Sequence, residues 1–161
     1  MAASGKLSKS AVEVTIRKLA ASDVPTVLTI LQESPEAAAW SQESLLQLAS
    51  SKPAAWVAEV NGFPVGFLFG RIAADEFEIL NMAVAGAHRG KGIGSKLLES
   101  ALEFARVAGC MRAYLEVRAS NKPAIEVYAR SGFLECGRRA HYYRDPVEDA
   151  LLLSLNLIGN H

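Results

Sequence analysis

A glycine-rich segment that also carries several cations has the residue types and spacing of an anion-binding loop. Residues 86–96 read GAHRGKGIGSK, with three basic residues and no acid. Glycines let a backbone turn its N–H groups inward, and the first turn of a following helix adds unpaired N–H donors and a positive dipole end. The segment therefore predicts a site for a pyrophosphate-like anion; the alternative is a tight turn whose glycines serve steric needs only.

The spacing of the glycines narrows the kind of nucleotide. A Walker A loop has four residues between its first glycine and the Gly-Lys pair, but only three residues stand between Gly86 and Gly90. Gly90, Gly92 and Gly94 are spaced G-x-G-x-G rather than G-x-G-x-x-G, although Glu116 stands where a ribose-binding acid could. ATP or GTP in a P-loop is disfavoured, and a dinucleotide site stays open as an alternative.

A predicted strand offers a second place for chemistry. Tyr114, Glu116 and Arg118 alternate with Leu115 and Val117, and alternate side chains of a strand share a face. Glu116 therefore lies on a face opposite the aliphatic residues. It is either available to move a proton or paired with Arg118, as many charges on strands are.

The periodicity of apolar residues predicts the elements that position these groups. Alternation predicts strands over 12–19, 54–60, 64–72, 77–84, 112–117, 133–142 and 150–157, and spacing of three and four predicts four helices between them. Ser22 and Asp23 are predicted to cap the first helix and Ser41 to open the second. Asn121 is predicted to cap the fourth helix, and Gly109 to end the third.

The order of these elements, β α α β β β α β α β β, predicts a mixed sheet. Asn61-Gly62 is a strong hairpin signal, because both central residues of a type I′ turn need positive φ. The strand, glycine loop, helix and strand around residues 77–117 require one parallel pair within an otherwise antiparallel sheet. The fold class is α/β (α+β), and a ligand is expected at the carboxyl ends of the parallel pair.

Composition sets the limits on function. The chain has 161 residues, half of them apolar, with 17 basic and 17 acidic residues. Such a chain makes one domain, predicted over 12–158 after a flexible extension over 1–11, and its neutrality favours neither nucleic acid nor an anionic membrane as partner. Two cysteines without metal-ligand spacing predict no metal site, and the lack of an apolar leader predicts a cytoplasmic protein. Asp145, Glu148 and Asp149, in the last hairpin, could dock a basic peptide terminus.

At this point the chain resembles a known family. Arg89-x-x-Gly92-x-Gly94 is similar to the R/Q-x-x-G-x-G/A signature of the GCN5-related N-acetyltransferases (GNAT). Nearly the whole chain, 12–157, follows that family's element order, which implies a mixed seven-stranded sheet with four helices. The run LEVRASN over 115–121 and the pair Tyr142-Tyr143 resemble the members that act on the N-terminal alanine of a ribosomal protein.

The resemblance implies a cosubstrate and roles for particular residues. The cosubstrate would be acetyl-CoA, with direct transfer to the acceptor, Glu116 as general base and Tyr128 as the acid that protonates departing coenzyme A; a core tyrosine is the alternative for Tyr128. The implied coenzyme-binding residues are Met82, Ala83, Val84, Arg89, Gly90, Lys91, Gly92, Ile93, Gly94 and Asn121. One departure is Gly86, which stands where the family usually has proline.

The acceptor side is less specified. Tyr142 and Tyr143 either clamp a peptide or pack across strands, and Trp40 either covers the acceptor channel or anchors the core. The leading acceptor is a protein N-terminal amine, with the N-terminal alanine of a ribosomal protein first. The alternatives are an acetyltransferase for small-molecule amines and a coenzyme A binding or sensing module without turnover.

Overall fold

The computed structural model describes residues 13–35, 37, 40–50 and 54–158. The predicted extension over 1–11 lies outside the described residues. Strands are β1 Val14–Lys18, β2 Ala54–Val60, β3 Phe63–Ala73, β4 Glu76–Val84, β5 Arg112–Arg118, β6 Leu134–Tyr143 and β7 Glu148–Asn156. Helices are α1 Val24–Gln32, α2 Gln42–Ser50, α3 Ile93–Val107 and α4 Lys122–Arg130, with short 3₁₀ turns at Ala21–Asp23 and Gly86–His88. None of the described helices is long and apolar enough to cross a bilayer.

All seven strands form one sheet in the order β1-β2-β3-β4-β5-β7-β6. Every neighbouring pair is antiparallel except β4 and β5, which run parallel. Helix α3 makes the crossover that a parallel pair requires. The predicted mixed sheet, its four helices and their order are therefore confirmed.

Local signals in the sequence account for the ends of several elements. Asn61 and Gly62 both have positive φ, 53° and 84°, as the predicted hairpin turn between β2 and β3 requires. The Ser44 amide donates to Ser41 Oγ at the start of α2, and the Ala124 amide donates to Asn121 Oδ1 at the start of α4. These two predicted caps are confirmed.

The predicted cap of α1 is wrong. Asp23 ends a 3₁₀ turn and makes no side-chain cap to α1. Its buried carboxylate instead accepts two hydrogen bonds from the Arg17 guanidinium, both at 2.8 Å, and one from the Ala20 amide at 2.7 Å. The Asp23 carboxylate, which the sequence pattern predicted to cap the start of α1, is thus bound by Arg17 on β1 instead.

The helices cover the two faces of the sheet unequally. Helix α3 packs over β2, β3 and β4, while α1 packs on β3 and β4 on the opposite face. Among the described residues, the apolar cluster under α1 and α2 draws on β2, β3 and the end of β4 and takes none from β5, β6 or β7. None of the described helices thus covers the α1/α2 face of β5, β7 and β6.

Candidate active site

The parallel strands β4 and β5 part to form a cleft. They pair only between Glu76–Ile79 and Arg112–Leu115, and beyond these residues their carboxyl ends diverge. The cleft has a volume of about 570 Å³. It is lined by residues 79–84 of β4, 88–90 and 92–95 of the glycine loop and α3, 115–118 of β5, the start and inner face of α4, and Tyr143.

The glycine loop meets this cleft with a backbone that suits an anion. Gly90 and Gly92 have φ of 77° and 83°, the left-handed region that favours glycine. Gly92 is the N-cap of α3, so the unpaired N–H groups of the first turn of α3 open toward the cleft wall. A Cβ at either glycine would meet nothing within 4 Å, which leaves space for a pyrophosphate. The residues present therefore fit the phosphates of coenzyme A.

Arg89 is committed to protein partners. Its Nε donates to the Val84 carbonyl at 2.8 Å, and its Nη2 donates to Ser34 Oγ at 3.2 Å. Ser34 is buried and its hydroxyl donates to the Ile30 carbonyl at 2.7 Å. Arg89 thus joins the glycine loop to the end of β4 and to the end of α1, and its role toward the coenzyme stays a prediction. Lys91 is exposed and is not among the residues that line the cleft.

Glu116 lies in the cleft wall on the polar face of β5. Burial alternates along the strand as predicted, with Leu115 and Val117 buried and Glu116 partly exposed. Its Oε2 accepts a hydrogen bond from Arg139 Nε on β6 at 2.5 Å. The hydrogen bond between the Tyr142 hydroxyl and the Glu116 carboxylate is also the main reason that the pKa of Tyr142 is raised.

The alternative pairing of Glu116 with Arg118 is wrong, because Arg118 belongs to a different contact. Arg118 Nη1 donates to Glu148 Oε1 at 3.2 Å, and the Ser120 amide donates to Glu148 Oε2 at 2.6 Å. The hydrogen bonds from Ser120 and Arg118 hold the pKa of Glu148 below its usual value. This contact clamps the turn between β6 and β7 to the loop that precedes α4.

Asp149 is engaged as well. It accepts from Arg138 Nη1 and from the His141 amide, both at 3.0 Å. Glu148 and Asp149 are thus both paired to arginines, and the docking of a basic peptide terminus at these acids and Asp145 stays a prediction.

Two tyrosines complete the inner wall. Tyr128 is buried on α4 with its ring edge-on to Phe133, and burial, with a smaller effect of Tyr143, raises its pKa. Tyr143 is stacked under Arg118, whose guanidinium carbon lies 4.4 Å from the ring centroid. Burial and the nearby Glu116 raise the pKa of Tyr143 to about 12. Both phenols are therefore neutral proton donors across the physiological range.

Most predicted site residues come together in the cleft. Met82, Ala83, Val84, Arg89, Gly90, Gly92, Ile93, Gly94, Glu116, Asn121, Tyr128 and Tyr143 line it. Trp40 instead packs edge-on to Phe69, with ring centroids 5.1 Å apart, and Tyr142 is half exposed beside the cleft. Neither is among the lining residues, and their roles toward an acceptor stay predictions.

Two residues of the site were missed by sequence reasoning. Asn81 is a buried polar residue in the cleft wall. It could have been found as a polar side chain two residues after Ile79, on the face of β4 that is otherwise apolar. Arg139 had no signal, because its contact with Glu116 depends on the register of β6. Within the described ranges, no cluster of three or more His, Cys, Asp or Glu side chains could hold a metal ion.

This fold, with its divergent parallel strands and glycine loop, defines the class of protein. Residues 24–133 match the model of the acetyltransferase (GNAT) family, and the chain belongs to this family. It is an acetyl-CoA-dependent N-acetyltransferase.

Particular relatives carry more specific names. The [ribosomal protein bS18]-alanine N-acetyltransferase of Escherichia coli K12 is 32% identical over 143 residues, or 88% of this chain and 96% of that protein. The crystal structure of the E. coli ribosomal-protein-S18-alanine N-acetyltransferase has a TM-score of 0.80 at 30% identity, covering 92% of this chain and 97% of that one. Ard1 from Thermoplasma volcanium has a TM-score of 0.82 at 30% identity, covering 91% and 99%.

Proposed function

We propose that this enzyme acetylates the α-amino group of a protein N-terminus in the cytoplasm, and that the N-terminal alanine of a ribosomal protein is its leading acceptor. Two kinds of relative support this proposal. One is the E. coli alanine N-acetyltransferase described above, and the other is an N-alpha-acetyltransferase of Sulfurisphaera tokodaii, 35% identical over 123 residues, or 68% of this chain and 73% of that protein.

The observation that carries the proposal is the open sheet face beside Glu116. The face is formed by β5, β7 and β6, which contribute nothing to the described cluster under α1 and α2. A peptide has to lie with its chain in an open groove, whereas an acetyltransferase for small amines would be closed by loops around its acceptor. Trp40, which could have closed such a channel, packs on Phe69, and this favours a peptide.

Glu116 is proposed to take the proton that the acceptor amine loses. Its carboxylate lines the cleft and is 22% exposed, so it is open to the acceptor directly or through one water. An α-amino group has an unperturbed pKa of about 7.7–8.0, so although most of it is protonated near neutral pH, removing that proton costs only about 1 kcal/mol. An unusually strong base is not required.

Tyr128 is proposed to supply a proton at the other side of the reacting centre. When bound, acetyl-CoA brings a thioester whose sulfur leaves as a thiolate. The buried Tyr128 hydroxyl lines the same cleft as Glu116 and stays protonated because burial raises its pKa. Proton transfer from a phenol to a thiolate is uphill in water, so the hydroxyl has to act by direct contact within the closed wall of the cleft.

A peptide panel tests the proposal. Free thiol release is measured with acetyl-CoA and synthetic peptides that begin with alanine, serine, methionine or proline, with the same alanine peptide bearing a blocked N-terminus, and with small amines. Mass spectrometry then locates the acetyl group. We expect acetylation of the free α-amine of the alanine peptide and none of the blocked one.

The variant Glu116→Gln separates the base from the rest of the site. It should lower kcat by ~10²–10⁴-fold, the range for general base catalysis, with acetyl-CoA affinity unchanged. Acetylation only of lysine side chains or of small amines would refute the proposed acceptor. Full turnover by Glu116→Gln would refute the role of Glu116, and binding of acetyl-CoA without thiol release on any acceptor would favour a binding module.

A further inference from the structure

The carboxylate proposed as base is held from another strand. Arg139 on β6 reaches across β7 to Glu116 on β5, and its Nε lies 2.5 Å from Glu116 Oε2. Ala150 of β7 stands opposite both Arg139 and Arg118, and its small side chain leaves room for the guanidinium above it. Charge-assisted hydrogen bonds of this kind fix the position of a carboxylate as well as its charge.

An irregularity in β6 brings a second partner to the same carboxylate. Arg139 pairs with Ala150 and Tyr143 pairs with Glu148, so residues 140–142 of β6 face Asp149 alone. His141 in this bulge has a φ of 52°. In a regular strand, residues 139 and 142 would point to opposite faces, yet both side chains contact Glu116.

The bulge is fastened by one side chain. Asp149 accepts the His141 amide through Oδ1 and Arg138 Nη1 through Oδ2, both at 3.0 Å. The guanidinium carbon of Arg139 lies 5.5 Å from the centroid of the Tyr142 ring. The bulge therefore presents a cation and a phenol together at the mouth of the cleft.

We propose that Arg139 is a positioning residue for acetyl transfer, which keeps the Glu116 carboxylate aimed into the cleft. The inference rests on the proposed role of Glu116 as the base. A charge-assisted hydrogen bond restricts a carboxylate to one orientation, so Arg139 holds the base in place for the acceptor amine. The bulge fastened by Asp149 gives this pair its geometry.

Other charged or titratable groups lie around Glu116 and Arg139, and none of them is substituted in the test of Arg139. They include Tyr142 and Tyr143 on β6, Tyr114 and Arg118 on β5, Glu78 on β4, Glu148 on β7 and Tyr128 on α4. Two arginines, Arg118 and Arg139, lie near Glu116. Arg118 is held by Glu148, which leaves Arg139 as the cation in direct contact with Glu116.

The test compares Arg139→Gln with Arg139→Lys and with a matched control. Arg112→Gln removes another partly exposed arginine, which pairs with Glu76 at the far end of β5. The values of kcat and KM are measured separately on one alanine-initiated peptide at a single pH, so that a loss at the reacting centre is distinguished from a loss of binding. Urea unfolding of each variant shows whether stability has changed.

We expect Arg139→Gln to lower kcat by about tenfold with little change in the KM for the peptide, because a base without this contact is correctly oriented less often. Arg139→Lys should restore most of the wild-type kcat, and Arg112→Gln should not differ from wild type. The KM for acetyl-CoA should stay constant throughout.

The two proposals fail in different ways. An unchanged kcat in Arg139→Gln, while Glu116→Gln is inactive, overturns the role of Arg139 alone. Full activity of Glu116→Gln overturns the base and the inference together. Should Arg139→Gln fail to fold, Arg139→Met, which keeps an apolar stem without the charge, takes its place, and an unchanged kcat in Arg139→Met would overturn the proposal.

Discussion

Replacing Gly92 by alanine separates the two reasons a glycine can be required in the anion-binding loop. A Cβ at Gly92 would meet nothing within 4 Å, and the same is true at Gly86. The two positions differ in backbone conformation, since Gly92 has a φ of 83° and Gly86 lies in a 3₁₀ turn without positive φ. Crowding of the protein itself by the new methyl group is thus absent at both sites, and only Gly92→Ala has a strained backbone.

The expected magnitude follows from this strain. An L-residue in the left-handed region costs about 1–2 kcal/mol relative to the right-handed one, which equals a factor of about 5–30 in an equilibrium constant. If the loop keeps its shape without ligand, the cost appears in the free energy of unfolding. If the loop relaxes and is re-formed on binding, the cost appears in the Kd for coenzyme A.

The assay therefore measures both quantities in both variants. Calorimetric titration gives the Kd for coenzyme A, and urea unfolding gives the free energy of unfolding. We expect the two losses in Gly92→Ala to sum to about 1–2 kcal/mol, whereas Gly86→Ala should bind normally and gain about 0.4–1 kcal/mol of stability from a less flexible unfolded chain. A Gly92→Ala variant that matches wild type within about 0.5 kcal/mol in both measurements would refute the reasoning.

Two further predictions concern single side chains. Tyr128→Phe should lower kcat by ~10²–10⁴-fold with little change in Tm or in the KM for either substrate; equal kcat in steady-state assays would remove Tyr128 as the acid. Asp23 has a pKa below its ordinary value because the bonds from Arg17 and Ala20 outweigh its burial, so its contribution to stability is present above the ordinary carboxylate range and is lost as pH falls. Asp23→Asn should cost about 3 kcal/mol at pH 7 and flatten the acid dependence of urea unfolding, and an unchanged slope between pH 3 and pH 7 would contradict this.

The elements were predictable because their burial has a simple period. Strand β5 alternates buried and open residues as its sequence does, and α3 buries Leu97, Leu98, Ala101, Leu102 and Ala105 at helical spacing. Signals that act within a few residues, such as the Asn61-Gly62 turn and the Asn121 cap, were also read correctly. These features depend on neighbours in sequence, which is the information that a sequence displays.

Contacts between distant elements were not predictable in the same way. Asp23 carries a local capping signal, but Arg17 stands close enough on β1 to bind it with two hydrogen bonds, and two charged bonds outweigh one cap. Arg89 belongs to the loop signature, but the signature does not contain the bonds of its side chain to Ser34 and Val84, which depend on how α1 packs. A motif identifies which backbone turns toward the ligand better than it identifies where a long side chain ends.

The partners of Glu116 show this limit most clearly. Its position on a polar face of β5 follows from alternation alone, and alternation also suggests Arg118, two residues away, as its ion-pair partner. That choice fails because Glu148 and the carbonyls of the β6–β7 turn claim the guanidinium of Arg118. The carboxylate is then left to β6, where alternation would allow only one of Arg139 and Tyr142 to face it. A bulge held by Asp149 allows both to face it. The Glu116 carboxylate is therefore bound from a strand two places away by Arg139 and Tyr142, a contact that alternation along each strand does not predict.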